Sequence, residues 1–288
     1  MSSTTEIYKP NNSKFLSELE DSQVRIGFQA PPFEGKTYAA LTWPNPVIAS
    51  FDGKVTAHLH RNDVPILPFY NPGYVDSLVR RESTAFKPNR KDALVKFLDT
   101  EGQKLSHEQT LILDGCGGIE TAFHEWYKDH EDALARTKKG DIDKYVQWNL
   151  KKDYFDELWN AVRSLKCDVI FICWEQVDRS EDGSLNGKIK PLLTGQASDR
   201  LGGNFTDWFA VVAIGKPSDQ EQRQKLKDWA KISDSTLEEW ISSTPPDYQA
   251  IHLFQTQDDS LRSCGSSSLH GCPKYIVANY ETFNKYQK

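Results

Sequence analysis

Three features of this 288-residue chain predict an α/β fold with a mainly parallel sheet flanked by helices and a C-terminal elaboration. Short apolar runs alternate with longer amphipathic segments from residue 23 to about 214, the order that builds parallel sheets through helical crossovers. Two of those runs, TLILD at 110–114 and DVIFICW at 168–174, are almost wholly apolar, as strands buried on both faces are. A Gly-Lys-Thr triplet, Gly35 to Thr37, falls between the first strand-like run and a helix-forming stretch.

Residues 1–22 read as a polar tail with a short amphipathic piece, SKFLSELED. QVRIGFQA then alternates, with Val24, Ile26 and Phe28 on one side, the period of a strand. GKTYAALTW supplies one or two helical turns that must end near Pro44 and Pro46. PVIASFD is a second strand, and DVPILPFYN a third whose prolines suit an edge. Residues 74–104 are mostly helical with a break around Pro88, TLILD is a buried strand, and 119–165 carry long helical segments. DVIFICWEQ and WFAVVAIG complete the core strands. Beyond residue 216 the chain turns charged and helical, then closes with AIHLFQTQDD and PKYIVANYETFNKY. The reading thus divides the chain into a tail (1–22), a core (23–214) and a helix-and-strand extension (215–288), with no internal repeat.

Composition narrows the function. Charged residues make up 26% and the hydrophobic set 38%, as in a globular chain. No apolar run approaches the length of a membrane span, and the N-terminus lacks a secretory pattern. The net charge of -6 counts against a surface that binds nucleic acid throughout, since phosphate neutralisation requires Lys and Arg. Five cysteines, three of them in or beside buried strands, suit free thiols in a reducing compartment. Cys264, His270 and Cys272 share a Gly/Ser-rich stretch, but a zinc site needs four ligands, so a loop with free thiols is the better reading.

Residues 30–37, APPFEGKT, follow the P-loop pattern with alanine for the first glycine. In such a loop backbone N–H groups surround phosphate, the lysine reaches the β and γ oxygens, and the hydroxyl serves magnesium. Lys36 and Thr37 stand at those positions. Pro31 and Pro32 have no N–H, so a cradle must rest on Phe33, Glu34, Gly35, Lys36, Thr37 and, at the helix start, Tyr38. Asp114, at the tip of a buried strand, is the second element, an acid that holds magnesium through water.

The succession APPFEGKT, VIASFD, TLILDG, VIFICWE and GKIKPLLTGQASDRLGGNFTDWFAVV resembles the phage-encoded RecA-like P-loop ATPases, some of which act in single-strand annealing or recombination. The resemblance covers about residues 23–214, with a fainter echo in HLFQTQDD. It implies a RecA-like core, ATP with Mg2+, a homo-oligomeric ring or filament on single-stranded DNA, and a place in the cytoplasm of an infected cell. It makes Thr37 and Asp114 the metal residues and Lys36 a catalytic one. It also gives Asp52 the place of the acid that polarises the attacking water, where the superfamily usually carries glutamate. Glu175, with Gln176 as the alternative, takes the place of a γ-phosphate sensor. Lys188 and Lys190 match paired lysines inserted into a neighbour's site, with Arg200 as their rival.

Clusters at Arg80-Arg81, Lys87/Arg90/Lys91, Lys138-Lys139 and Lys151-Lys152 could touch DNA, but each is more often a solvated helix face than a phosphate contact. Trp126, Trp148, Trp159, Trp229 and Trp240 fall at helical spacings that favour core or subunit contacts over base stacking. Two further readings stay open beside the DNA-handling ATPase. The loop prolines, Asp52 in place of glutamate and the acidic charge motivate a scaffold that binds nucleotide without turnover. A P-loop small-molecule kinase ranks last, because no arginine-rich lid is visible in the sequence.

Overall fold

The computed structural model of the chain describes residues 23–55, 61–79, 89–134, 143–177, 184, 187, 189–193 and 201–287. The predicted α/β sheet is present. Its parallel part contains β1 (Arg25–Ala30), β2 (Pro46–Ser50), β3 (Ile66–Pro68), β4 (Thr110–Asp114), β5 (Asp168–Gln176) and β7 (Asp207–Gly215). These strands lie in the order β3-β2-β4-β5-β1-β7, and each adjacent pair is parallel. Antiparallel β8 (Ala250–Gln255) and β10 (Tyr275–Val277) then extend the sheet beyond β7. Two-residue strands β6 (Lys190–Pro191) and β9 (Gly265–Ser266) pair with β5 and β7.

Helices cover both faces. α3 (Arg90–Asp99), α4 (Cys116–Leu134) and α5 (Lys144–Ser164) pack on one face through Leu94, Phe97, Phe123, Tyr154 and Leu158. α1 (Lys36–Ala40) and the C-terminal α8 (Tyr280–Tyr286) pack on the other through Ala39, Ala40 and Phe283. α2 (Pro72–Leu78) lies near the β3 edge, while α6 (Gln220–Ala230) and α7 (Asp234–Ser242) cover β8 and β10. Side-chain caps set the starts: Asn71, Asn89, Asp143, Asp219, Ser233 and Asn279 each accept an N–H from the first turn of their helix.

β1 is the strand that its sequence suggests, enclosed on both faces. Val24, Ile26 and Phe28 do share a face, but every residue of β1 is buried, including Arg25 and Gln29. The reason is position, since β1 lies between β5 and β7 with helices on both sides. Arg25 is satisfied by carbonyls, donating to Val24, Cys167 and Leu165 at 2.7 to 3.1 Å. The third predicted strand shrinks to Ile66–Pro68 at the sheet's edge, as its prolines require.

Residues 215–287 join the same sheet and the same core. Phe28 of β1 packs against Phe254 of β8 with ring centroids 4.8 Å apart, and Trp43 against Phe283 of α8 at 5.4 Å. Of the five helical tryptophans, Trp159 and Trp240 are buried and Trp126 is partly so, while Trp148 and Trp229 are about half exposed.

Gly27 is fixed by packing. The Trp208 ring occupies the space where a side chain would start, and a Cβ there would stand 1.8 Å from Trp208 Cε3. Gly27→Ala must therefore push a buried indole away from the central strand. Overpacking of this kind costs about 3 kcal/mol, an expected fall in Tm of roughly 6–12 °C. Thermal unfolding of the variant tests this, and an unchanged Tm would contradict the packing described.

Candidate functional site

The parallel strands end together. Ala30 is level with Trp174 of β5, Asp114 with Ile172, and Ser50 with Asp114. The loop after β1, the bend after β2 and the acid of β4 therefore share one edge. β1 is also where the chain changes direction across the sheet: the next strand, β2, lies on the β5 side, while β7 flanks the other. Open α/β sheets bind ligands outside the carboxyl ends of strands at such a switch.

Residues 31–35 form a tight loop. Gly35 adopts φ +84° and Phe33 φ +69°, a left-handed conformation uncommon for a non-glycine residue, and Phe33 is fully exposed. Among the described residues, the backbone N–H groups of 33–38 donate to no acceptor. They constitute a run of unspent donors where an anion can sit. α1 is only five residues long, so these loop amides dominate over any helix dipole.

The loop is held from behind. The Glu34 carbonyl oxygen lies 3.0 Å from His252 Nδ1 of β8, and its carboxylate accepts the Ala213 N–H of β7 at 2.6 Å. Gly35 presses on the same imidazole, where a Cβ would lie 2.4 Å from Nδ1. Burial holds the His252 pKa below its usual value. Tyr38 stacks near Tyr248 at 4.9 Å and His252 at 5.7 Å.

Lys36 is buried and turned onto the loop's own carbonyls, donating to Ala30 O at 2.9 Å and Pro31 O at 2.6 Å. Burial lowers its pKa, while Asp114 and Glu175 oppose that shift. Thr37 Oγ1 donates to Asp114 Oδ2 at 3.1 Å, across 77 residues of sequence. Asp114 is buried, and its pKa rises to about 6, chiefly from burial and then from Asp52, while Thr37, Lys36 and Lys54 pull it down. Asp52 is exposed at the tip of β2, with Oδ1 accepting the Lys54 N–H at 3.0 Å. Lys54 Nζ sits 3.7 Å above the Trp174 ring of β5.

Glu175, at the tip of β5, is gripped by Arg262 through two bonds of 2.7 and 3.0 Å. Lys190 is exposed on β6, opposite Gln176. Lys188 and Arg200 lie outside the described residues, as do Arg80, Arg81, Lys87, Lys138 and Lys139. The structure thus gathers Phe33 to Tyr38, Asp52, Asp114 and Glu175 along one edge. His252, Lys54 and Arg262 belong to that edge too. His252 opens HLFQTQDD, a stretch with no chemical motif, and nothing marks Arg262, whereas Lys54 shares SFDGK with Asp52.

Among the described residues no group of three or more His, Cys, Asp or Glu could hold a metal, and all five cysteines are free thiols. Nor is any described helix long and apolar enough to cross a membrane.

A switch-point loop with unspent amides, a buried lysine and a hydroxyl bonded to a strand-tip acid defines a P-loop NTPase. Residues 22–228 match a family model described as an AAA domain, and the chain belongs to that family of ATPase domains. No curated protein matches it. Among solved structures, it is similar to a prototypical ATPase from the type III secretion system of pathogenic bacteria, at 10% identity and TM-score 0.34, over 70% of this chain and 53% of that one. It is likewise similar to EscN, the assembled type III secretion ATPase of enteropathogenic E. coli, at 10% identity and TM-score 0.36, over 71% and 45%. The chain spans about half the length of these two chains, and at such values the likeness says nothing of activity or partners.

The raised pKa of Asp114 has a sign that can be measured. Its proton is held more tightly in the folded chain than in the unfolded one, so stability falls as pH rises from about 4 to about 6. Without metal or nucleotide, Asp114→Asn is expected to be more stable than wild type at pH 8 by about 2–3 kcal/mol. That advantage should shrink through pH 6 and vanish near pH 4. Denaturant melts at several pH values test it, and a pH-independent difference would remove Asp114 as the cause.

Proposed function

We propose that this chain binds ATP with magnesium at the shared edge of β1, β2, β4 and β5, and hydrolyses it. The observation that carries the reading is the Lys36–Thr37–Asp114 arrangement beneath six unspent amides. The amides of Phe33 to Tyr38 would hold phosphate oxygens, and Lys36 would exchange its two carbonyl partners for the β- and γ-phosphates. Thr37 Oγ1 and Asp114 are hard oxygen donors that fit Mg2+, which takes one or two protein ligands and completes its shell with phosphate and water. When bound, that ion would neutralise charge on the phosphates. Asp52, one strand over from Asp114, would take a proton from the attacking water, leaving ADP and phosphate as products.

A second reading is binding without turnover. It is favoured by the exposure of Asp52 and by its commitment to the Lys54 N–H. Action on single-stranded DNA and assembly into a ring or filament rest on the sequence resemblance. Several described members of the basic clusters are already engaged within the chain: Arg90 with Glu125, Lys91 with Asp92 and Lys151 with Glu120. DNA contact would then fall to others, such as the exposed Lys152.

The test is steady-state hydrolysis of ATP with magnesium, with and without single-stranded DNA, alongside nucleotide binding. Turnover should drop by about a hundredfold in Lys36→Ala, while Asp52→Asn should keep binding and lose turnover. Wild type that binds but does not hydrolyse supports the scaffold, and wild type that does neither overturns the reading. Stimulation by DNA would support the DNA-handling role, and its absence would count against it.

A further inference from the structure

Arg262 is the residue that the motifs of the chain do not explain. It lies in the 258–266 stretch, on the far side of β8 in sequence, yet its guanidinium reaches the tip of β5. There it makes a two-pronged bond to Glu175, through Nε at 2.7 Å and Nη2 at 3.0 Å. The Glu175 side chain is only 1% exposed. Glu175 directly follows Trp174, which is level with Ala30 where the loop begins, so the pair lies at the same sheet edge as the lysine assigned to phosphate.

We infer that Arg262 reads the γ-phosphate of bound nucleotide by trading its Glu175 partner for that phosphate. The inference rests on the nucleotide site proposed above. A guanidinium fork fits carboxylate and phosphate with the same two-bond geometry, so the exchange replaces one bidentate anion with another. ADP carries no γ-phosphate and leaves Arg262 on Glu175. Gln29 provides a substitute partner for the released carboxylate. It is level with Cys173 on the sheet face that Glu175 shares, fully buried, with both amide atoms unpartnered.

The exchange has a mechanical outlet. Arg262 is bridged to Ile189, whose N–H donates to Leu261 O at 2.7 Å, and the next residues, Lys190 and Pro191, pair with Gln176 and Glu175. Asp259 accepts the N–H groups of Leu261 and Arg262 at 2.8 Å each and so shapes the turn that presents the arginine. Movement of Arg262 therefore bears on the 189–191 segment, which pairs with the tip of β5, and the nucleotide state reaches that segment.

The experiment measures binding of Mg-ADP and of Mg with a non-hydrolysable ATP analogue to the full chain by calorimetry. Arg262→Gln is expected to weaken the analogue about tenfold and ADP by less than about twofold. Glu175→Gln should act oppositely, raising the analogue-to-ADP preference about tenfold, because Arg262 is no longer held back. In the double variant E175Q/R262Q that gain should disappear. A simple structural staple predicts something else: both single variants weaken both nucleotides alike. That result, or a Glu175→Gln gain that survives in the double variant, overturns the inference. Should Arg262→Gln fail to fold, Arg262→Lys keeps the charge without the fork and should lose part of the analogue preference. An unchanged preference there counts against the exchange. Wild type that binds neither nucleotide overturns the site and the exchange together.

Discussion

The site depends on keeping a stretch of backbone unsatisfied. Six consecutive amides that bond to nothing within the described chain are costly to hold in one shape, because nothing in the loop itself closes the ladder. Glu34 supplies the restraint from outside. Its carbonyl faces His252 and its carboxylate takes the Ala213 amide, so one residue fastens the loop to both β7 and β8. Gly35 completes the fit, since its left-handed turn brings the backbone against the imidazole with no room for a side chain. The loop thus draws its rigidity from strands beside it rather than from its own hydrogen bonds.

Charge at the edge follows the same logic of held tension. Lys36 and Asp114 are both buried, and each is shifted toward its neutral form by loss of water. They are not a direct pair: Lys36 turns to carbonyls and Asp114 to a hydroxyl. Each therefore holds charge that its present partners only partly compensate. A polyanion with a divalent cation supplies the missing complement to both at once, which makes an otherwise unfavourable arrangement sensible as a binding site.

Much of this edge is legible in the sequence, because motif and strand period act locally. APPFEGKT announces a loop, TLILD a buried strand with an acid at its tip, and SFD a second tip, and these three meet because parallel strands end on one side. The sheet class follows from the same alternation of runs. Other contacts are invisible for a physical reason. His252 lies 218 residues from Glu34, and Arg262 lies 87 from Glu175. Both pairings exist only because β8 adds antiparallel to β7, which no periodicity encodes. The burial of Arg25 and Gln29 has a related cause: strand order, not residue type, decides that β1 is enclosed.

The placement of β8 also separates two meanings of a boundary. The match to the AAA domain ends at residue 228, and by then the chain has spelled APPFEGKT, SFD and TLILD. The imidazole behind the loop, the ring that packs on Phe28 and the arginine at the tip of β5 all come later. A unit defined by shared ancestry is thus shorter than the unit that carries the load. What looks like an appendage by pedigree serves as the abutment of the arch.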